Sequence, residues 1–197
     1  MVNTKKALDN LFVSRVRIKL LHYFLVHKDI PVHLRGAVRE INEEINAVRR
    51  ELNRLEEIKL LKSESRGNRK YFMLNPQGPL VDELTGMIFK TFGLGGDVLR
   101  NINKLGDVSY AILTEDYISG VQSTEHNVDL IMIGEIDLDA LSQVVDEAER
   151  KEKREINYTV LGSEDFELRK KRRDSFVMDI LLTPKLLLVG SERDLLA

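Results

Sequence analysis

The stretch Asn127-Val128-Asp129, running into the apolar burst Leu-Ile-Met-Ile before Gly134, sets two oxygen-bearing side chains two residues apart. On an extended strand such residues share one face. Two carboxylates so placed hold a hard divalent cation, whereas an amide beside one carboxylate gives up the charge the cation needs. Glu115 and Asp116 are further acids that could join Asp129 in a substitute metal cluster, although loop carboxylates are ordinarily solvated. The chain has no cysteine, which excludes disulfides, thiol catalysis and cysteine-ligated zinc. His22, His27, His33 and His126 lack paired ligand spacing. No G-x-S-x-G elbow, dinucleotide fingerprint or phosphate-loop lysine occurs, and Gly93-Leu94-Gly95-Gly96 has neither the spacing nor the context for one.

A second chemistry lies in INAVRRELNRLEEI, residues 45–58. Ile45, Val48, Leu52 and Leu55 recur at helical spacing and predict one buried face. About 100° per residue then turns Asn46, Arg50, Asn53, Arg54 and Glu57 outward, with Arg49 beside them. Arginine can bond guanine through two donors and asparagine can bond adenine likewise, so such a face suits the major groove. Alone it would be an ordinary solvated surface. It is followed, however, by LLKSESRGNRKYFMLNP, in which strands at about 60–64 and 70–74 flank the turn residues Gly67 and Asn68. The tip of this hairpin carries Arg66, Arg69 and Lys70, placed to reach phosphates or the minor groove.

The elements that position these groups are legible upstream. A well-buried helix is expected over about 11–27 (Val13, Val16, Ile18, Leu20, Leu21 and Phe24), ended by Pro31. A short strand at Val32–Leu34, a helix over about 35–41 and a polar break at Asn42-Glu43-Glu44 lead to the arginine-bearing helix. Glutamate is a poor N-cap, which shifts the expected helix start to Asn42. Three helices followed by a basic-tipped hairpin make a winged helix-turn-helix.

Residues 11–76 resemble the ArsR-type winged helix common in archaeal regulators, above all in AVRRELNRLEEIKLLKSESRGNRKYFMLNP. The resemblance implies that 46–58 is the recognition helix and 62–71 the wing. DNA contacts are then expected from Asn46, Arg49, Arg50, Asn53, Arg54, Arg66, Asn68, Arg69 and Lys70.

Downstream, Leu80, Leu84, Met87, Ile88 and Phe92 predict a connecting helix ended by Gly93, Gly95 and Gly96, which would serve as a hinge. Its apolar stripe would pack within the chain or on a second subunit, and a homodimer is expected. Alternation then sets in: helix 98–105, strand 108–113, an irregular stretch to 126, strand 128–133, helix 138–151, strand 156–161, a helix from about 164, helix-like FVMDILL and a closing strand KLLLVG. This is an α/β pattern with a small mixed sheet. The run RKKRRD, 169–174, lies between SEDFE and DSF; as a basic cluster it could touch nucleic acid or phosphate, but it is expected to be a solvated, charge-laced helix face.

Residues 97–195 resemble the minimal nucleotidyltransferase domain of the DNA polymerase beta superfamily. The resemblance implies a Gly-Ser turn after the first strand, an Arg-Gly element, Asp-x-Asp on the second strand and a carboxylate on the third, together holding Mg²⁺ and nucleotide phosphates. Here the turn falls on Glu115-Asp116, Ser119 precedes Gly120 in place of arginine, Asn127 replaces the first aspartate, and Asn157 and Thr159 stand on the third strand with Glu155 at its edge. Only Asp129 remains as a residual metal ligand, so no catalytic residue, bound metal or cofactor is expected.

Composition fits this division. Of 197 residues, 43% are hydrophobic and 31% charged, ordinary for a globular protein. Residues 1–75 hold 16 Lys+Arg against 9 Asp+Glu, and the remainder 14 against 23. A basic first part points to a polyanion partner. The longest apolar runs are too short to span a bilayer and MVNTKK lacks a signal-peptide core, so a cytoplasmic protein with no membrane partner is expected.

The overall expectation is therefore an α+β protein. It comprises a winged helix-turn-helix over 1–76, a connecting helix and glycine hinge over 77–96, and an inactive nucleotidyltransferase-like domain over 97–197 that could receive a protein or small-molecule effector. The function expected is a DNA-binding transcriptional regulator with double-stranded DNA as partner. The alternatives are an active metal-dependent nucleotidyltransferase guided by the winged helix, and an antitoxin-like or adaptor protein.

Overall fold

A computed structural model describes residues 4–121, 124 and 127–197. The protein is α+β and divides into two compact units, Met1–Ile88 and Phe89–Ala197. His126 lies outside the described residues.

The first unit runs α1 (Thr4–Leu11), α2 (Arg15–Val26), β1 (Val32–His33), α3 (Leu34–Ile41), α4 (Ile45–Glu57), β2 (Leu61–Arg66), β3 (Arg69–Leu74) and α5 (Val81–Phe89), whose last residue opens the second unit. The strands form an antiparallel sheet in the order β1-β3-β2, so the unit is winged-helix-like. Leu20, Phe24 and Leu25 of α2 and Val48, Leu52 and Leu55 of α4 are among its most buried side chains. Burying one such side chain is worth about 1.5–3 kcal/mol, so this seam fixes where α4 points.

Two local expectations need correction. The chain from Leu11 to His27 is not one helix: Ser14 accepts a bond from the Arg17 N–H and starts α2 anew, leaving Val13 fully exposed. Asn42 does not cap α4; it takes φ 50 and closes α3. The cap is Glu44, whose carboxylate accepts from the N–H groups of Asn46 and Ala47, both at 2.8 Å. Those two bonds, the first foremost, hold its carboxyl below the ordinary range, and a negative charge also suits a helix N-terminus.

The second unit runs α6 (Gly93–Asn101), a 3₁₀ turn (Ile102–Lys104), β4 (Gly106–Thr114), α7 (Glu115–Ile118), β5 (Leu130–Ile136), α8 (Leu138–Glu152), β6 (Tyr158–Leu161), α9 (Ser163–Lys171), α10 (Ser175–Leu182), β7 (Lys185–Val189) and α11 (Glu192–Leu196). Its mixed sheet has the order β6-β5-β4-β7, with only the β5–β6 pair parallel. One face buries Leu113, Leu130 and Met132 with Leu141 and Val145 of α8, and the other buries Ile112 and Ile131 with Phe166 and Val177. The strands are thus covered on both sides, which explains the near-continuous apolar run of β5.

The expected glycine hinge is also corrected. The connecting helix ends at Phe89, Leu80 is exposed before it, and Phe92 follows it. Gly93 begins α6, and Gly95 and Gly96 are buried within that helix. A Cβ on Gly95 would lie 2.3 Å from the Phe89 carbonyl, and one on Gly96 equally close to that of Thr91. Close backbone approach, not hinge freedom, requires these glycines.

Candidate nucleic-acid interface and the Asp129 centre

On α4 the outward face is as expected: Asn46, Arg49, Arg50, Asn53 and Arg54 are all exposed, opposite Val48, Leu52 and Leu55. Ile45, counted in the buried seam, is only half-buried. The face carries its own polar bonds. Arg49 Nη1 donates to Asn46 Oδ1 at 3.0 Å, and Arg54 Nη1 donates to Glu51 Oε1 at 2.8 Å. Glu51 is 5% exposed and also accepts from Arg17 Nε of α2 at 2.8 Å. Burial alone would raise its carboxyl, but Arg17 and the further donors bring the balance below the ordinary value. Glu51 therefore fixes the rotation of α4 against α2, a role that no spacing rule on α4 reveals.

The hairpin is longer than expected, pairing Leu61 with Leu74 through to Arg66 with Arg69. Gly67 supplies φ 58 at the first central turn position, as primed hairpin turns require. Arg66, Asn68, Arg69 and Lys70 are exposed. Arg66 pairs with Glu64 and lies 5.3 Å from the Tyr71 ring centroid. Lys70 Nζ donates to Glu56 Oε2 at 2.6 Å and stands 5.1 Å over the Phe72 ring. Two of the three basic side chains at the tip thus already have carboxylate partners. His33 is a cap rather than a ligand: its Nδ1 accepts from the Gly36 N–H at 3.1 Å.

In the second unit Asp129 is completely buried. It immediately precedes β5 instead of lying on it, so Asn127 and Asp129 do not share a strand face as expected. Asn127 Oδ1 accepts from the Thr124 hydroxyl at 2.9 Å. Both Asp129 carboxylate oxygens are used: Oδ1 accepts from Arg154 Nη2 at 2.7 Å and Oδ2 from the Asn157 N–H at 2.9 Å. Its backbone N–H donates to the Asn157 carbonyl, and its carbonyl accepts from the Thr114 N–H. Arg154 follows Lys153, whose left-handed φ of 55 ends α8 and turns the chain back. The guanidinium also donates to the Val121 carbonyl at 3.1 Å and lies 4.9 Å from the Tyr117 ring centroid.

The Tyr117 hydroxyl donates to Glu152 Oε1 at 2.8 Å, and the Leu94 N–H donates to the same oxygen at equal distance. Burial raises the Glu152 carboxyl above its ordinary value, although these donors oppose the rise, and burial likewise pushes the Tyr117 phenol up.

Glu115 accepts from the Ser119 hydroxyl at 2.6 Å in the last turn of α7. The substitute cluster of Glu115, Asp116 and Asp129 does not assemble: among the described residues no three acids or imidazoles converge as metal ligands. A guanidinium occupies the position that a cation would take beside Asp129. Asn157, expected on the third strand, precedes it and donates through Nδ2 to the Thr124 carbonyl at 2.7 Å.

In the 169–174 run, Arg169 pairs with Asp165 at 2.9 Å, Lys170 donates to the Leu195 carbonyl, and Lys171, Arg172 and Arg173 are exposed. No helix among the described residues is long and apolar enough to cross a membrane.

No family model matches the sequence, and neither does a curated protein. Among solved structures the chain is similar to one described as the crystal structure of human N-acetylserotonin methyltransferase in complex with SAM, at 13% identity and a TM-score of 0.30, over 61% of this chain and 37% of that one. The chain spans little more than a third of that structure's length, and a likeness of this size carries no argument about fold or activity.

Proposed function

We propose that the protein is a transcriptional regulator that binds double-stranded DNA through its first unit, an ArsR-type winged helix, with α4 in the major groove and the β2–β3 hairpin on the backbone. The observation that carries this reading is the exposed row Asn46, Arg49, Arg50, Asn53 and Arg54, set by a seam that is 0–2% exposed at Val48, Leu52 and Leu55. Arg50 is the leading base reader, because Arg54 already spends one donor on Glu51. Arg69 and Lys62, both exposed on the hairpin, face phosphate. A homodimer would place two such helices on half-sites about 34–36 Å apart.

The second unit is a nucleotidyltransferase-like module without catalysis. Its helix–strand order and mixed sheet support the likeness, while Asp129, committed to Arg154 and Asn157, supports the loss of metal chemistry. Selection of bound duplexes from a random pool is the test. Enrichment of one motif, relaxed at one position by Arg50→Ala, is the expected result, and a chain that retains no duplex at low salt refutes the reading. Label transfer from a nucleotide with Mg²⁺ or Mn²⁺ by the parent chain would instead establish an active nucleotidyltransferase.

A further inference from the structure

Glu56 occupies the last turn of α4 and reaches both strands of the hairpin: Oε1 accepts from the Ser63 hydroxyl of β2 at 2.5 Å and Oε2 from Lys70 Nζ of β3 at 2.6 Å. The Glu56 and Lys70 side chains retain 29% and 46% of their accessibility, so the pair sits at the solvent boundary. It lies between the end of the helix proposed to enter the groove and the hairpin proposed to lie on the backbone. A carboxylate gripping an ammonium there presents the same sign of charge and the same kind of acceptor oxygen that a backbone phosphate would offer.

We infer that Glu56 is a built-in competitor of the DNA backbone, holding Lys70 until a phosphate replaces it and thereby lowering the affinity of the chain for duplexes. The inference rests on the DNA-binding reading and adds a regulating residue to that site. An exposed ion pair is weak enough to be exchanged, unlike one sealed in the interior. The ammonium stays on its aromatic rest over Phe72 while it changes partner. On a duplex lacking the right bases, α4 does not seat, Lys70 stays with Glu56, and one phosphate contact is withheld. On the right bases α4 seats and the phosphate contact forms, but the cost of parting Lys70 from Glu56 is subtracted from it, so the residue lowers affinity for both classes of duplex.

The test is a salt-graded titration of the full chain, of Glu56→Gln, of Lys70→Gln and of the double variant, against a selected duplex and an unrelated one. Glutamine keeps an acceptor for Ser63, and thermal unfolding checks that each variant folds. Glu56→Gln is expected to tighten the unrelated duplex about two- to fivefold, the worth of an exposed ion pair. Its salt slope should steepen by about 0.9, one additional phosphate contact. The selected duplex should tighten at least as much, because there the parent parts the ion pair to make its phosphate contact, and the gains should vanish in the Lys70→Gln background.

Weaker binding by Glu56→Gln makes the residue a mere brace of the hairpin and overturns the inference. So does an unchanged affinity, or the same tightening without Lys70, which would be general charge relief. A parent chain that binds neither duplex refutes the DNA-binding reading itself, a result distinct from all of these.

Discussion

Arg54 and Arg154 each meet an aspartate or glutamate at hydrogen-bond distance, yet their surroundings differ. The Arg54 side chain keeps 58% of its accessibility, with one nitrogen on Glu51 and the rest of its fork in solvent. Arg154 keeps 23%, lies against Tyr117 and grips a carboxylate with no exposure at all. Separating the second pair strands a charge where water cannot reach it, which costs far more than loosening a surface contact. The first arrangement leaves donors for an outside anion, and the second has consumed its carboxylate from within. One charge pairing thus stays open to solvent in the first unit and is sealed in the second, and depth below the surface decides which.

The largest way to break this contrast is Asp129→Ala. It leaves Arg154 without its carboxylate and Asn157 without its acceptor, and should cost about 3–5 kcal/mol of unfolding free energy in urea. A loss below about 1 kcal/mol, the range of exposed pairs, would erase the distinction. Next comes Arg50→Ala, expected to weaken binding to a selected duplex by about 1–3 kcal/mol and to relax one base position, while leaving urea unfolding unchanged. Arg69→Ala should weaken all duplexes alike, by less than about 1 kcal/mol, and reduce the salt slope by about 0.9.

The smallest effect concerns pH. Burial raises the Glu152 carboxyl above 4.5, so the folded chain holds that proton more tightly than the unfolded one. Its contribution to stability is complete below 4.5 and is lost as pH rises through the folded value. Glu152→Gln, which keeps an acceptor for Tyr117 and Leu94, should flatten the melting temperature over that window.

Much of this was legible in the sequence where the cause is local. The three-and-four spacing of Val48, Leu52 and Leu55 set the outward row on α4, and Gly67 marked the turn. The cap at Glu44 was missed because the preference for short capping side chains says nothing about a longer carboxylate folding back. The short helices α7 and α11 went unforeseen, although Thr114 before Glu115-Asp116 and Ser191 before Glu192 are N-cap signals in plain view. Gly95 and Gly96 were misplaced because glycine at a helix end and glycine under a crossing carbonyl look alike in one dimension. The partners of Asp129 lie 25 and 28 residues away, and no local rule pairs them. Nor does spacing within α4 point to Glu51 as the anchor of Arg17.

Asp129 also fastens the ends of three strands, through the Thr114 N–H, its own place before Leu130 and its bonds to Asn157. An engineer hoping to install a divalent ion here could not succeed by converting Asn127 to aspartate alone. The new acid would stand beside a carboxylate whose two oxygens already serve Arg154 and Asn157, so Arg154 would first have to be evicted and the strand junction rebuilt by other means. The seam that steadies the sheet is also what bars the door to new chemistry.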